Sequence, residues 1–212
     1  GRTDDAIDSY RRAVAIRPDF AEAHIDLGTA LKKKGLLDDA VASFTRAIEI
    51  DPEIAIAHNN LGNALADLGR TGDDVASYQK AIALAPDFAQ AHSNLGLALK
   101  VLGRMDEAVA SCRKALALDP DLAEAHSNLG LTLLGMGKLQ EGLDEYEWRW
   151  RVPTCNSSQS PFQKPLWNGT DDLAGRTLLL WPEQGPGDMI IWASGIPEII
   201  DRAGRCIIEV HP

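Results

Sequence analysis

Apolar residues recur at helical spacing along most of the chain, and their stripes return in step. Leu27 and Leu31 mark one stripe; Val41, Phe44 and Ile48 mark a second. Gaps of three and four residues belong to helices that bury one face. The pattern predicts a first helix over about Ala21–Lys34 and a second over Asp38–Ile50. The segment Ala89–Leu122, AQAHSNLGLALKVLGRMDEAVASCRKALALDPDL, falls on Ala55–Phe88 when moved back by 34 residues. A further step back meets the segment starting at Ala21, and a step forward meets the one starting at Ala123. Gly28, Gly62, Gly96 and Gly130 keep the same phase, as do Pro18, Pro52, Pro86 and Pro120. A fixed period of this length is the signature of a helix-turn-helix solenoid.

The punctuation fits that hairpin. Gly35, Gly69, Gly103 and Gly137 stand where a left-handed residue ends a first helix. The prolines close each second helix, which a proline cannot continue. Asp38 and Asp106 suit the first turn of a second helix, where negative charge meets the positive helix end. Gly28 and Ala40 are small where two helices must approach closely. Asp74 and Gly142 occupy that small-alanine slot in other repeats. A carboxylate buried there without a partner is costly, so the Ala55–Phe88 repeat is expected to be the softest joint. Asp74→Ala is expected to stabilise it by about 1 kcal/mol or more. The chain opens on a lone second helix, Gly1–Pro18, which suggests a piece of a longer protein, since solenoids begin with a cap.

Beyond Tyr146 the periodicity decays. Arg149 takes the slot of Ala47, Ala81 and Ala115, between Trp148 and Trp150. Residues 154–175 read as a connector. Arg176–Trp181 has the look of a buried parallel strand, Glu183–Asp188 is a Gly/Pro turn, Met189–Ala203 reads as helix and Arg205–Val210 as a second strand. This is the first step of a doubly wound sheet, begun but incomplete. The expected organisation is an all-α superhelix over residues 1–153, with repeats at 21–54, 55–88, 89–122 and 123–153. A partial α/β unit over 176–212 follows.

The net charge of −10 disfavours a nucleic-acid surface, and no apolar run is long enough to span a bilayer. Three widely separated cysteines, Cys112, Cys155 and Cys206, fit neither a disulfide framework nor a zinc site, so a reducing cytoplasm is expected. His24, His58, His92 and His126 look like a metal string. Successive helices stand about 8–10 Å apart, however, whereas zinc ligands sit about 2 Å from one ion, so these are packing residues.

The pattern Leu-Gly, Gly, Ala, Phe/Tyr, Ala and Pro resembles the tetratricopeptide repeat (TPR), which implies a right-handed superhelix over residues 1 to about 153. The text AHSNLG at Ala91–Gly96 and Ala125–Gly130 is most similar to the repeats of O-linked N-acetylglucosamine transferases. First helices line the inner, concave face of such superhelices. That resemblance implies that Asn60, Asn94 and Asn128, with Asp26 in the equivalent place, bind an extended peptide through its backbone. The plainer alternative is that these residues solvate a helix face or bond to a neighbouring turn.

The run from Tyr146 to Pro212, with EWRW, PLWNG and EQGPGD, resembles bacterial proteins that join TPR repeats to a GT-B-type glycosyltransferase akin to heptosyltransferases. Carried over, Gly185 and Gly187 shape a cleft-facing turn, and Asp188 is the candidate base for an acceptor hydroxyl. Asp188 also reads plainly as an N-cap. Pro186 and Trp192 depart from the family pattern. A nucleotide-sugar donor is implied for the parent protein, and no cofactor or metal for this stretch, which is expected to do no chemistry itself. The reading is a peptide-binding scaffold that recruits a partner to an attached glycosyltransferase. The alternatives are a non-catalytic scaffold and self-association through the open end of the repeats.

Overall fold

The computed structural model describes residues 2–152, 177–180 and 205–208. The chain divides into two compact units, Gly1–Val152 and Pro153–Pro212. The first is all-helical: α1 (Arg2–Ile16), α2 (Ala21–Lys33), α3 (Leu37–Ile50), α4 (Ala55–Asp67), α5 (Asp73–Leu84), α6 (Ala89–Val101), α7 (Met105–Leu118), α8 (Ala123–Gly135) and α9 (Leu139–Tyr146). A 3-10 turn, Glu147–Arg151, follows α9. Helices pair as hairpins α2/α3, α4/α5, α6/α7 and α8/α9, and each second helix packs on the next first helix. The first helices α2, α4, α6 and α8 also touch in succession. This is a TPR-type solenoid in which each repeat rests on its neighbours.

Each hairpin closes where a glycine faces a ring, a thiol or a backbone. A Cβ on Gly28 would stand 2.7 Å from the Phe44 ring, and one on Gly62 would stand 2.6 Å from the Tyr78 ring. At Gly130 the obstacle is main chain, with the Tyr146 nitrogen at 2.6 Å. Gly142 in the opposing slot lets α8 and α9 meet this closely. Alanines at the matching positions of α3 and α7, Ala40 and Ala108, are fully buried. The first helices end on Gly35, Gly69, Gly103 and Gly137 at φ between 71° and 82°, the left-handed geometry expected of them.

One hairpin departs from the pattern. Helix α5 has 12 residues where α3 and α7 have 14, because it starts two positions late. Gly72 stands where the other hairpins carry Asp38 and Asp106, and its φ of 114° lies outside any helix. Asp74 then lies in the first turn, where helix N–H groups lack intrahelical acceptors. Its Oδ1 accepts the N–H of Gly72 at 2.8 Å and of Val75 at 2.7 Å. The expectation of an unpartnered carboxylate is therefore corrected: Asp74 caps α5.

In the second unit, β1 (Thr177–Leu180) and β2 (Arg205–Ile208) pair in parallel, with Thr177 opposite Arg205 and Leu180 opposite Ile208. The connector at 154–175, the Glu183–Asp188 turn and the Met189–Ala203 segment lie outside the described residues.

Candidate functional site

The four histidines form one repeated clasp. In each, Nε2–H donates to the carbonyl of the proline six residues earlier: His24 to Pro18 at 3.1 Å, His58 to Pro52 at 3.0 Å, His92 to Pro86 at 3.1 Å and His126 to Pro120 at 2.9 Å. Each clasp ties a first helix to the end of the preceding second helix. Among the described residues no group of three or more His, Cys, Asp or Glu is placed to hold a metal ion. His126 alone also faces a carboxylate, Glu145 at 2.5 Å, and stacks on Trp148 with ring centroids 3.9 Å apart. Arg151 covers the same indole and Arg149 covers Tyr146, so the last repeat ends on cation–aromatic contacts.

The periodic amides do not share one environment. Asp26 is exposed and Asn60 is half-buried, where its Oδ1 meets Asn59 Nδ2 at 3.4 Å. Asn94 Nδ2 turns back to the previous first helix and donates to Asn59 Oδ1 and Asn63 Oδ1, both at 3.0 Å. Asn94 Oδ1 accepts from Gln90 Nε2 at 3.1 Å. Asn128 Nδ2 does the same one repeat later, donating to Ser93 Oγ at 3.2 Å. Two rungs of the ladder thus stitch neighbouring repeats together.

Around Asn94 a polar cluster forms that no other hairpin carries. Asn59 and Asn63 lie one turn apart on α4, and Asp74 and Tyr78 one turn apart on α5, so each pair shares a face. Tyr78 Oη–H donates to Asn63 Oδ1 at 2.8 Å. Burial raises the Tyr78 pKa far above its ordinary value, and the Asp74 and Asp67 carboxylates push it the same way. Phe44 and Cys112 occupy the matching ring position in the flanking hairpins. There burial pushes the Cys112 thiol up to about 12, which leaves it an inert packing group.

A cleft of about 320 Å³ opens above this cluster. Asn63, Asp74, Tyr78 and Asn94 form its polar floor. Leu97, Ala98 and Val101 on α6 form an apolar wall, with Leu97 41% and Val101 66% exposed. Lys32 and Asp67 stand at the rim, paired at 2.9 Å. Asp74 is 2% exposed and has no cationic partner among the described residues. A cleft of this size lies at the small end of the range for ligand sites and has room for one side chain. Sequence reasoning passed over Asn59, Asn63 and Tyr78. Their signal was the polar substitution of several slots within a single repeat.

Gly185, Gly187 and Asp188 lie outside the described residues. No helix among the described residues is long and apolar enough to cross a membrane.

Tetratricopeptide-repeat family models match residues 1–35, 25–87, 89–122 and 111–144. Comparison with curated protein sequences finds no match. Among solved structures, a crystal structure of MamA is similar at 27% identity, covering 69% of this chain and 85% of that one with a TM-score of 0.62. TTC0263, a thermophilic TPR protein in Thermus thermophilus, is 28% identical over 73% of this chain and 85% of its own, also at 0.62. YrrB, described as a TPR protein with an unusual peptide-binding site, shares the fold at 22% identity, covering 69% and 76% with a TM-score of 0.58. With the repeat models covering residues 1–87 and 89–144 and the hairpins stacked as described, the helical part of this chain is a tetratricopeptide-repeat scaffold.

Proposed function

We propose that the repeats bind a protein partner as an extended peptide on the inner, concave face formed by α2, α4, α6 and α8. The observation that carries this reading is the cleft lined by residues of the successive first helices α2, α4 and α6, with Asp74 and Tyr78 of α5 beneath them. Solenoids commonly use such a continuous face for binding. The ladder takes a divided role. Asn94 and Asn128 hold the repeats in register, and Asp26 and Asn60 offer polar groups to a peptide backbone. Each such bond is worth only about 0.5–1.5 kcal/mol, so these two rungs add to other contacts rather than supply the affinity alone. Asp26→Ala with Asn60→Ala should weaken a pulled-down partner, measured by calorimetry, while leaving the melting temperature unchanged. Unaltered affinity would remove these residues from the site.

We propose further that the second unit begins a glycosyltransferase domain. Its support is the run from Tyr146 to Pro212 and the parallel pairing of β1 with β2, the arrangement with which a Rossmann-like sheet begins. On this reading Gly185 and Gly187 shape the turn and Asp188 is the base. The parent uses a nucleotide-sugar donor in a reducing cytoplasm, and the repeats recruit its acceptor. In a parent with transfer activity, Asp188→Asn should keep the fold and cost about 10²–10⁴-fold in turnover. Equal turnover would reduce Asp188 to a helix cap. Self-association is the second reading, and Leu139 on α9, 63% exposed near the end of the array, is the observation in its favour.

A further inference from the structure

We propose that the cleft above Asp74 is a subsite for one basic side chain, lysine or arginine, of the bound peptide. This rests on the peptide-binding reading and gives it a specificity. Asp74 Oδ1 is committed to the N–H groups of Gly72 and Val75, while Oδ2 receives no donor from the described residues. The capping bonds compensate Oδ1 but leave Oδ2 without a donor, and an incoming ammonium or guanidinium can supply a charge-assisted one. Lys32 does not serve, because it is paired with Asp67 at the rim.

The remaining surfaces suit the same occupant. Leu97 and Val101 give an exposed apolar wall on α6. A lysine or arginine lays its methylene stem along such a wall while its charged head reaches the polar end. Tyr78 Oη donates to Asn63 and keeps acceptor capacity for an N–H of the ligand. An acidic or phosphorylated side chain would instead meet Asp74 and Asp67 as like charges. The helical unit carries 17 basic and 24 acidic residues, and its negative field draws basic segments toward it. Asn63, Asp74 and Tyr78 of one repeat and Asn94 of the next come together at one place among the described repeats, so the subsite fixes the register of a peptide that the ladder would otherwise accept in any frame.

The test is selection of a random dodecapeptide phage library on the full 212-residue chain. Enriched peptides should carry lysine or arginine at one fixed position. A synthetic peptide with citrulline, or norleucine for lysine, at that position should bind at least about tenfold more weakly to the unaltered protein. Asp74→Asn, which keeps an amide oxygen for the cap, should abolish that discrimination without unfolding the chain. Ligand-side charge removal makes the result independent of any folding defect. Peptides enriched without a fixed basic position, or a citrulline or norleucine penalty below tenfold, would overturn the cation subsite and leave peptide binding standing. Failure to enrich any peptide would overturn both readings.

Discussion

Asp74→Ala separates two accounts of a buried carboxylate. If its burial were uncompensated, alanine would stabilise the chain, since Ala40 and Ala108 fill the same slot fully buried. The geometry argues the reverse. Helix α5 begins late because Gly72, at φ 114°, cannot continue a helix, and Asp74 then supplies the acceptor for two N–H groups at 2.8 and 2.7 Å. Loss of a helix N-terminal cap costs about 0.5–2 kcal/mol. Alanine leaves both donors without that acceptor, and the water that could replace it reaches the exposed Gly72 more readily than the buried Val75. We expect Asp74→Ala to destabilise by about 1–2 kcal/mol, which lowers the melting temperature by about 2–8 °C for a unit of this size. Asp74→Asn should lie much nearer the parent protein. Urea unfolding of the three proteins, with the midpoint compared at constant slope, reads the difference. A higher midpoint for Asp74→Ala would refute the capping account and restore the desolvation one.

Two further outcomes follow from the same geometry. Gly130→Ala should cost more than Gly28→Ala in thermal unfolding, because its new Cβ meets the Tyr146 main-chain nitrogen at 2.6 Å whereas the other meets the Phe44 ring; overpacking of this kind costs about 1–3 kcal/mol, and equal losses would show that the α8–α9 backbones can separate. Tyr78 has a raised pKa, so its contribution to stability is full below the ordinary value of 10.0 and is lost as pH rises through the higher folded value. Tyr78→Phe should therefore flatten the alkaline limb of the stability curve above about pH 10, and an unchanged limb would mean that Tyr78 is not what titrates there.

Much of the solenoid was legible because its determinants are local and periodic. The left-handed glycines, the small slots at Gly28 and Gly62 and the closing prolines each obey a rule that a single hairpin satisfies within itself. What was not legible depends on contacts between repeats. Asn94 and Asn128 stand in phase with Asn60, yet their partners lie 31 to 35 residues back, and only the stacking of α6 on α4 and of α8 on α6 brings Asn59, Asn63 and Ser93 within reach. Asp74 misled for another reason. Its slot reads as buried alanine in α3 and α7, and the substitution that changes its role, glycine at 72, sits two residues away.

The division of the ladder bears on where a ligand gains most. In a repeat array, stability is close to a sum of terms within repeats and terms between neighbours. The Asn94 amide is one of the between-repeat terms, with two acceptors for its nitrogen and a donor for its oxygen. A peptide that captured that amide would exchange existing bonds for new ones and gain little. The open Oδ2 of Asp74 and the bare α6 wall are different, since nothing in the helical unit is displaced when they are filled. The cleft should therefore add net affinity to the modest bonds that Asp26 and Asn60 contribute, whereas Asn94 and Asn128 add little.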